Sequence, residues 1–331
     1  MEIRPISLST GCSGEGVGTP VVIVTAANAC FARSMCVAVH SALKHVPADR
    51  DVILYVLDDG IRPEDRARTL RVLHAARSNL TIEWIDPDLS LIEGLKKPEW
   101  HTRTTYLRFL IEYIVPAEHE RVLYLDSDVV VQDDITKLWE FEMGDHPFWA
   151  VVNYYPSLFS NNLQKIRARI DPAPETTLYC NAGIMLLNMP RWREMGLSGI
   201  AIDFLARHGD DITFGDQDGL NAVLRGGWGL LDPEWNVQLL TVDRICGDHL
   251  PAADVERCCR DMLDHARILH YTGPFKPWHL RYRGYCDEAF FEAYRESGWA
   301  SPLASALETA GLRISHAASR LLRQVRTAMF L

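Results

Sequence analysis

The sequence predicts an α/β fold built on a mostly parallel sheet with helices on both faces. In the first half of the chain, short apolar runs alternate with helical segments, and this alternation is typical of parallel strands joined by helical crossovers. Two aspartates, Asp126 and Asp128, directly follow the fourth apolar run. That position is the carboxyl end of a strand, where open α/β sheets bind their ligands.

Four strands and three helices account for residues 21–125. The second strand ends at Asp58-Asp59-Gly60, and the second helix opens with Pro63, whose missing N–H costs little in a first turn. No Gly-x-Gly-x-x-Gly follows the first strand, so a dinucleotide-binding fold is disfavoured. The predicted strands are Val21–Val24, Val52–Leu57, Leu80–Ile85 and Arg121–Leu125, and the predicted helices are Phe31–Leu43, Pro63–Ala76 and Thr104–Ile114.

The second half has shorter elements. We predict a strand at Gly183–Asn188, a helix from Gly215 to about Leu224, and a strand at Ile268–His270. The last strand runs into the segment 271–278, which adds a glycine and Lys276 to the imidazole of His270. A histidine can ligate a metal and a lysine can neutralise a diphosphate, although each alone is more often an ordinary surface or strand-end residue.

The two aspartates indicate a metal site. Side chains alternate along a strand, so Asp126 and Asp128 emerge on the same side and would repel each other unless a cation or proton lay between them. A divalent metal carrying a phosphorylated ligand is the economical interpretation. The alternative is a solvated turn, where aspartate is common.

Composition narrows the class of protein. The chain has 331 residues, 47% of them hydrophobic, and a net charge of −10, which argues against general nucleic-acid binding. No apolar stretch is long enough to cross a bilayer, and residues 1–19 resemble a flexible lead-in rather than a secretion signal. The eight cysteines form no Cys-x-x-Cys pair. They are therefore expected to be reduced thiols in a cytoplasmic protein.

Five segments together resemble glycosyltransferase family eight, the retaining GT-A enzymes that include bacterial lipopolysaccharide galactosyl- and glucosyltransferases. They are Thr104–Arg108, Val122–Asp128, Asn181–Gly183, Asp216–Asp218 and His270–Trp278. The resemblance implies a GT-A-type, Rossmann-like catalytic domain at 20–285, after a lead-in at 1–19 and before a helical segment at 286–331. It also implies transfer of galactose or glucose from a UDP-sugar, with Mn²⁺ (Mg²⁺ as the alternative), to a saccharide or glycolipid acceptor of lipopolysaccharide or another glycoconjugate.

The resemblance also assigns site residues. The implied metal ligands are Asp126, Asp128 and His270, with oxygen and imidazole donors that favour Mn²⁺. Asp216 would bind sugar hydroxyls, and Gln217 would lie nearest the reacting face. The positions implied to hold the donor are Ala26, Asn28, Arg108, Asn181, Ala182, Gly273 and Lys276.

Two residues, Gln217 and Asn28, bear on the mechanism and on nucleoside binding. Retention usually implies a carboxylate nucleophile, but Gln217 is an amide, so a front-face mechanism is favoured, with attack from the side that UDP leaves. Asn28 stands where the family commonly has acidic residues, and its amide can still hydrogen-bond uracil.

Two other classes of function stay open at this point. Asp126-x-Asp128 fits the nucleophile motif of haloacid-dehalogenase-type phosphatases, although that motif normally follows the first strand of the core and here at least three strand–helix units precede it. The other class is a non-catalytic UDP-sugar-binding scaffold. Acceptor choice is expected to depend on Asn153–Pro174. There Tyr154, Tyr155 and Phe159, together with Trp149, could stack on a sugar or belong to the core.

The C-terminal tail, residues 311–331, has four arginines and no acid. On a helical wheel its aliphatic residues and its basic residues separate onto two faces, which suits a helix lying on an anionic membrane, here the inner face. The alternative is a helix docked on its own domain with a solvated basic face. Deletion of 311–331 is expected to release the protein from membranes and to spare turnover of a soluble acceptor.

Overall fold

The computed structural model describes residues 18–97, 102–153, 177–240, 264–282, 284 and 286–329, with side chains in the last helix as far as Leu321. Three predictions fall mainly outside this range: the lead-in at its residues 1–17, the acceptor region from residue 154 onward, and the state of the cysteines at 12, 246, 258 and 259. The four described cysteines, Cys30, Cys36, Cys180 and Cys286, carry free thiols.

A seven-stranded sheet forms the centre of the molecule. Its order is β3-β2-β1-β4-β7-β6-β8, and β7 alone among these strands runs antiparallel to its neighbours. The predicted mostly parallel α/β sheet is therefore confirmed. The strands are β1 (Val21–Asn28), β2 (Val52–Asp59), β3 (Leu80–Ile85), β4 (Arg121–Leu125), β6 (Phe148–Val152), β7 (Cys180–Asn188) and β8 (Gly229–Leu230).

Three short strands make a second sheet beside the end of β4. They are β5 (Val129–Val131), β9 (Val237–Gln238) and β10 (Ile268–His270), in the order β5-β10-β9. β10 pairs antiparallel with β5 so that His270 lies opposite Val129. Because β5 begins directly after Asp128, this register brings His270 to the two aspartates.

Helices flank the main sheet and form the C-terminus. The α-helices are α1 (Ala32–His45), α2 (Pro63–Ala76), α3 (Ile111–Ile114), α4 (Thr136–Trp139), α5 (Met189–Glu194), α6 (Leu197–His208), α7 (Asp216–Leu224), α8 (Glu288–Ser297) and α9 (Pro302–Met329). Short 3-10 turns lie at Ser90–Ile92, Gly209–Asp211 and Pro233–Asn236. Within the described residues, no helix is long and apolar enough to span a membrane.

The predicted helix Thr104–Ile114 is mostly a 3-10 helix. Residues Arg103–Leu110 take the tighter 3-10 form, and only Ile111–Ile114 are α-helical. In a 3-10 helix, side chains at i and i+3 lie one above the other. Thr105 and Arg108 are spaced this way, and both contact Asp216. The tighter coil thus aims two polar groups at one carboxylate, a contact that helical periodicity alone does not reveal.

The core is continuous from the sheet to the C-terminal helices. Seven of the eight β1 side chains are buried, and β1 continues beyond the predicted Val24 as far as Asn28. Phe290, Phe291 and Tyr294 of α8 belong to the same buried cluster as the sheet. Trp149 of β6 is also buried in that cluster and is therefore a core residue.

Candidate active site

Three side chains converge at the carboxyl end of β4. Ligand atoms of Asp126, Asp128 and His270 all lie within 4.8 Å of one another. His270 Nε2 is 3.6 Å from Asp126 Oδ2 and 3.4 Å from Asp128 Oδ1. Two carboxylate oxygens and one imidazole nitrogen suit a divalent cation of the Mn²⁺ or Mg²⁺ type. The predicted metal ligands are thus brought together.

Gly183 on β7 leaves the room that this cluster needs. A Cβ at this position would lie 2.2 Å from His270 Cε1 and 2.7 Å from Asp126 Oδ2. The backbone of Gly183 also fixes Asp126, whose N–H donates to the Gly183 carbonyl over 2.8 Å. A side chain at residue 183 would therefore push both ligands away, and the cluster fits a bound metal only with glycine here.

The two carboxylates differ in their electrostatic environment. Burial raises the pKa of Asp126, because the Arg108 guanidinium offsets only part of that effect. Burial acts in the same direction on Asp128, but the charge of Lys276, together with hydrogen bonds from Lys276 and His270, outweighs it and lowers the pKa of that carboxyl. Lys276 Nζ contacts Asp128 Oδ2 and donates to the Tyr271 carbonyl over 2.6 Å. A buried cation is thus already in place beside the cluster.

A chain of amides fixes the ring of His270. Its Nδ1 lies 3.0 Å from Asn236 Oδ1, and Asn236 donates its amide to Asn181 Oδ1 over 2.8 Å. Asn181 in turn donates to Asn153 and accepts from the Gly183 N–H. These bonds leave an acceptor facing Nδ1, so the ring carries its proton there and Nε2 keeps a lone pair toward the aspartates.

Arg108 is the centre of a second cluster. It is 4% exposed, its Nε is 2.8 Å from Asp216 Oδ2, and its Nη2 is 3.0 Å from Asp126 Oδ1. Its remaining contacts are the carbonyls of Ala182 and Thr105 and the face of the Tyr124 ring, 4.6 Å away. Arg108 therefore links Asp216 to Asp126, which belongs to the metal-side cluster of Asp126, Asp128 and His270.

Gln217 and Asp218 follow Asp216 at the start of α7. Gln217 Oε1 accepts the Ala182 N–H over 3.1 Å, which orients its amide. Asp218 points away from the cluster: it accepts the Tyr179 hydroxyl over 2.5 Å and two backbone N–H groups. Burial raises the pKa of Asp218 to about 6. Asp218 thus stabilises the start of the helix that presents Gln217.

The remaining predicted donor residues lie around these clusters. Ala26 and Asn28 lie at the end of β1, where Asn28 pairs in register with Asp59. Asn28 donates to the hydroxyl of Thr104, and Thr104 donates to Asp59 over 2.5 Å. Asn28 stands where the family commonly has acidic residues, and in the fold the neighbouring strand β2 places the carboxylate of Asp59 beside it.

Gly273 has a backbone angle φ of +89°, and a Cβ would lie 2.6 Å from Leu240 Cδ2. Both observations require glycine at this turn. The turn lies between His270 and Lys276, so it controls how these two residues approach the aspartates.

Sequence reasoning missed three residues of the site. Tyr124 donates its hydroxyl to Asp126 over 3.0 Å, and its position two residues before Asp126 on the same strand face could have revealed it. Thr105 lies within a recognised motif and contacts Asp216. Asn236, fully buried behind His270, lies in a stretch of sequence without any chemical signal.

Comparison with known sequences agrees with this geometry. The sequence profile of glycosyl transferase family 8 matches residues 22–281. General stress protein A of Bacillus subtilis (strain 168) is 28% identical over 273 residues, which cover 81% of this chain and 91% of that protein. Lipopolysaccharide 1,3-galactosyltransferase of Salmonella typhimurium is 25% identical over 256 residues, covering 76% and 71%.

A solved structure shares the fold. The galactosyltransferase LgtC, solved in complex with donor and acceptor sugar analogues, superposes with a TM-score of 0.68 at 27% identity, covering 83% of this chain and 96% of that chain. The comparisons support neither the phosphatase nor the non-catalytic scaffold. Because the family profile matches most of the chain, the protein belongs to glycosyltransferase family 8 and is a glycosyltransferase.

Proposed function

We propose that the protein transfers galactose or glucose from a UDP-sugar to a saccharide acceptor, with retention and with Mn²⁺ held by Asp126, Asp128 and His270. The observation that carries the proposal is the convergence of these three side chains beside a buried lysine. The relationship to a lipopolysaccharide galactosyltransferase supports an acceptor of the lipopolysaccharide or another glycoconjugate class.

Each cluster has its own task in this proposal. The metal, when bound, supplies Lewis-acid stabilisation of charge on the departing diphosphate. Lys276, only 7% exposed, adds a fixed positive charge at the same place. Arg108 holds Asp216 in position to accept hydrogen bonds from sugar hydroxyls. Asn28 and Ala26, at the end of β1, would lie against the nucleoside.

Gln217 would face the anomeric carbon. Its amide oxygen is oriented by the Ala182 N–H and would stabilise positive charge on the sugar. An amide is a poor nucleophile, so we propose a front-face reaction. The acceptor hydroxyl attacks from the side that UDP leaves, its oxygen forms the new glycosidic bond, and its proton passes to a phosphate oxygen. A glycosyl adduct trapped on Asp216 or Asp218 and seen by mass spectrometry would contradict this mechanism.

The first test is UDP release from a panel of UDP-sugars with Mn²⁺, with Mg²⁺ and with EDTA. We expect slow, metal-dependent release from UDP-galactose or UDP-glucose, and no release by Asp128→Ala. Asp145→Ala removes an exposed carboxylate and serves as the matched control, with activity unchanged. Equal release with EDTA, or by Asp128→Ala, would remove the metal from the proposal.

We also propose that α9 binds an anionic membrane surface. In the structure, the side of α9 that contains His316 and Arg320 is turned toward the protein, and an apolar stripe is turned to solvent. This differs from the docked helix with a solvated basic face. The stripe consists of Leu303, Leu307, Ile314 and Leu321, each more than 60% exposed. Arginines without any acid in residues 311–331 favour anionic lipid as the occupant.

Vesicle co-sedimentation tests the membrane proposal. The triple variant Leu307→Ser, Ile314→Ser, Leu321→Ser is expected to lose binding to phosphatidylglycerol vesicles. A matched triple variant replaces exposed aliphatic residues elsewhere, Leu91→Ser, Ile200→Ser and Leu230→Ser, and should bind like the wild type. Equal binding by both variants would contradict the assignment to α9.

A further inference from the structure

The buried side of α9 is attached to the loop that carries Lys276. Three side chains of α9 donate hydrogen bonds to three backbone carbonyls of this loop, and we call them the clasp. The bonds are Ser315 Oγ to the Leu280 carbonyl at 2.8 Å, His316 Nε2 to the His279 carbonyl at 3.0 Å, and Arg320 Nη1 to the Gly284 carbonyl at 2.8 Å.

His316 is the most firmly held member of the clasp. It is fully buried, and its Nδ1 lies 2.5 Å from Asp287 Oδ2. Its ring lies nearly parallel to that of Phe291, with centroids 5.9 Å apart. Both ring nitrogens face acceptor oxygens, those of the Asp287 carboxylate and the His279 carbonyl, so the ring connects these two groups.

His279 belongs to the same turn as Lys276. The His279 N–H donates to the Lys276 carbonyl over 2.8 Å, and the Lys276 N–H donates to His279 Nδ1 over 3.3 Å. Burial, and then the charge of Lys276, lower the pKa of His279, which keeps its Nδ1 an acceptor. The two residues are therefore linked in both directions, and a shift of the His279 backbone moves the backbone of Lys276.

The connection from His316 through His279 ends at Lys276, which contacts the metal-side cluster. Lys276 Nζ reaches Asp128, and its backbone position is set by the turn that His316 holds. We propose that His316 is a positioning residue for donor binding: through the His279 carbonyl it fixes the turn from which Lys276 reaches the donor diphosphate. This inference rests on the proposed role of Lys276 in the function above.

The variant His316→Phe tests the inference because it keeps a ring against Phe291 and removes both hydrogen bonds. Glu308→Ala is the matched control. It also removes two contacts that anchor α9, to Arg33 at 2.5 Å and to Tyr294 at 2.8 Å, and neither of these partners belongs to the loop. We expect His316→Phe to weaken UDP binding in the presence of Mn²⁺ by about tenfold in calorimetry, and Glu308→Ala to leave it unchanged.

Two further measurements separate positioning from a general structural effect. In turnover assays, His316→Phe should raise the KM for the UDP-sugar more than it lowers kcat. In a Lys276→Ala background, it should have almost no additional effect on UDP affinity. A loss of kcat at unchanged KM, or a full additional tenfold loss in that background, would overturn the proposal.

Hydrogen–deuterium exchange of the ligand-free protein separates failure of this inference from failure of the proposed function. We expect faster exchange in peptides covering residues 276–282 for His316→Phe and wild-type exchange for Glu308→Ala. If the wild type does not bind UDP, the proposed function is wrong. The exchange measurement then still tests whether the clasp holds the loop in place. Unchanged exchange in His316→Phe overturns the clasp whatever UDP does.

The C-terminal tail, residues 311–331, contains all three residues of the clasp. Deletion of 311–331 was expected to spare turnover of a soluble acceptor, but it would also remove Ser315, His316 and Arg320. We therefore expect that truncation to weaken donor binding as well as membrane binding.

Discussion

The two charged clusters at the end of β4 are built differently. On the metal side, Asp126, Asp128 and His270 point at one another, and among the described residues Lys276 and one end of Arg108 supply the positive charge. In the second cluster, Arg108 has a partner for each part of its guanidinium group. Two carboxylates, two carbonyls and an aromatic face surround it.

The difference separates function from stability. Donor atoms that converge on one another repel, and burial raises the pKa of Asp126, so the charged form of this carboxylate costs stability that a bound cation relieves. The buried Arg108 guanidinium stabilises the fold instead, since removing it leaves carboxylates unpaired. We therefore expect neutral substitution of Asp126 to abolish activity with little effect on folding, and Arg108 substitutions to affect both.

The largest effect is expected from Asp126→Asn. Loss of one charged ligand should lower turnover by about a thousandfold or more, because stabilisation of the leaving diphosphate is lost. The free energy of unfolding should change by less than about 1 kcal/mol, because the amide oxygen still accepts from Arg108 and Tyr124, and because burial raises the pKa of Asp126, so that its charge costs stability in the folded protein. Turnover assays and urea unfolding of the same preparation measure both quantities. A large loss of stability would break the comparison.

The next effect is expected from Arg108→Met, which should lower the free energy of unfolding by about 3–4 kcal/mol because Asp216 stays buried and unpaired. Urea unfolding measures it. Arg191→Met is the matched control: Arg191 also pairs with a carboxylate, Glu194 at 2.7 Å, but that carboxylate is 70% exposed. That control should cost less than about 1 kcal/mol.

A second substitution sharpens the same test. Adding Asp216→Asn to Arg108→Met removes the unpaired charge and should recover at least about 1 kcal/mol. Additive losses in the double variant would mean that the ion pair is not the source of the stability.

The two clusters also differ in how far the sequence predicts them. An apolar run predicts the strand before Asp126, and the alternation of side chains along a strand predicts that Asp126 and Asp128 lie on the same side. The positions of β2, β3 and β4 follow from the same local pattern, because continuous apolar strands are typical of parallel sheets. His270 is identified only through resemblance to the family, since its partners lie more than 140 residues away.

Contacts across the fold limit sequence reasoning elsewhere. The 3-10 form of Arg103–Leu110 depends on Asp216, which comes from α7. The direction in which α9 docks depends on Asp287 and the carbonyls of the loop at 279–284, which have no pattern in the sequence. A helical wheel separates the faces of α9, but it does not show which face the protein covers.

Asn236 provides the smallest and most specific test of the metal-side cluster. Asn236→Ala removes the acceptor for His270 Nδ1, so the ring can turn and change tautomer, and we expect Mn²⁺ affinity to fall by about tenfold. Titration with Mn²⁺ in the absence of nucleotide measures this. Asn79→Ala removes an asparagine that donates to the Ala48 and Arg50 carbonyls far from the site, and it should leave Mn²⁺ affinity unchanged. If Asn236→Ala bound Mn²⁺ like the wild type, the amide chain would serve folding alone, and the cluster would orient its histidine through Gly183 and the β5–β10 register.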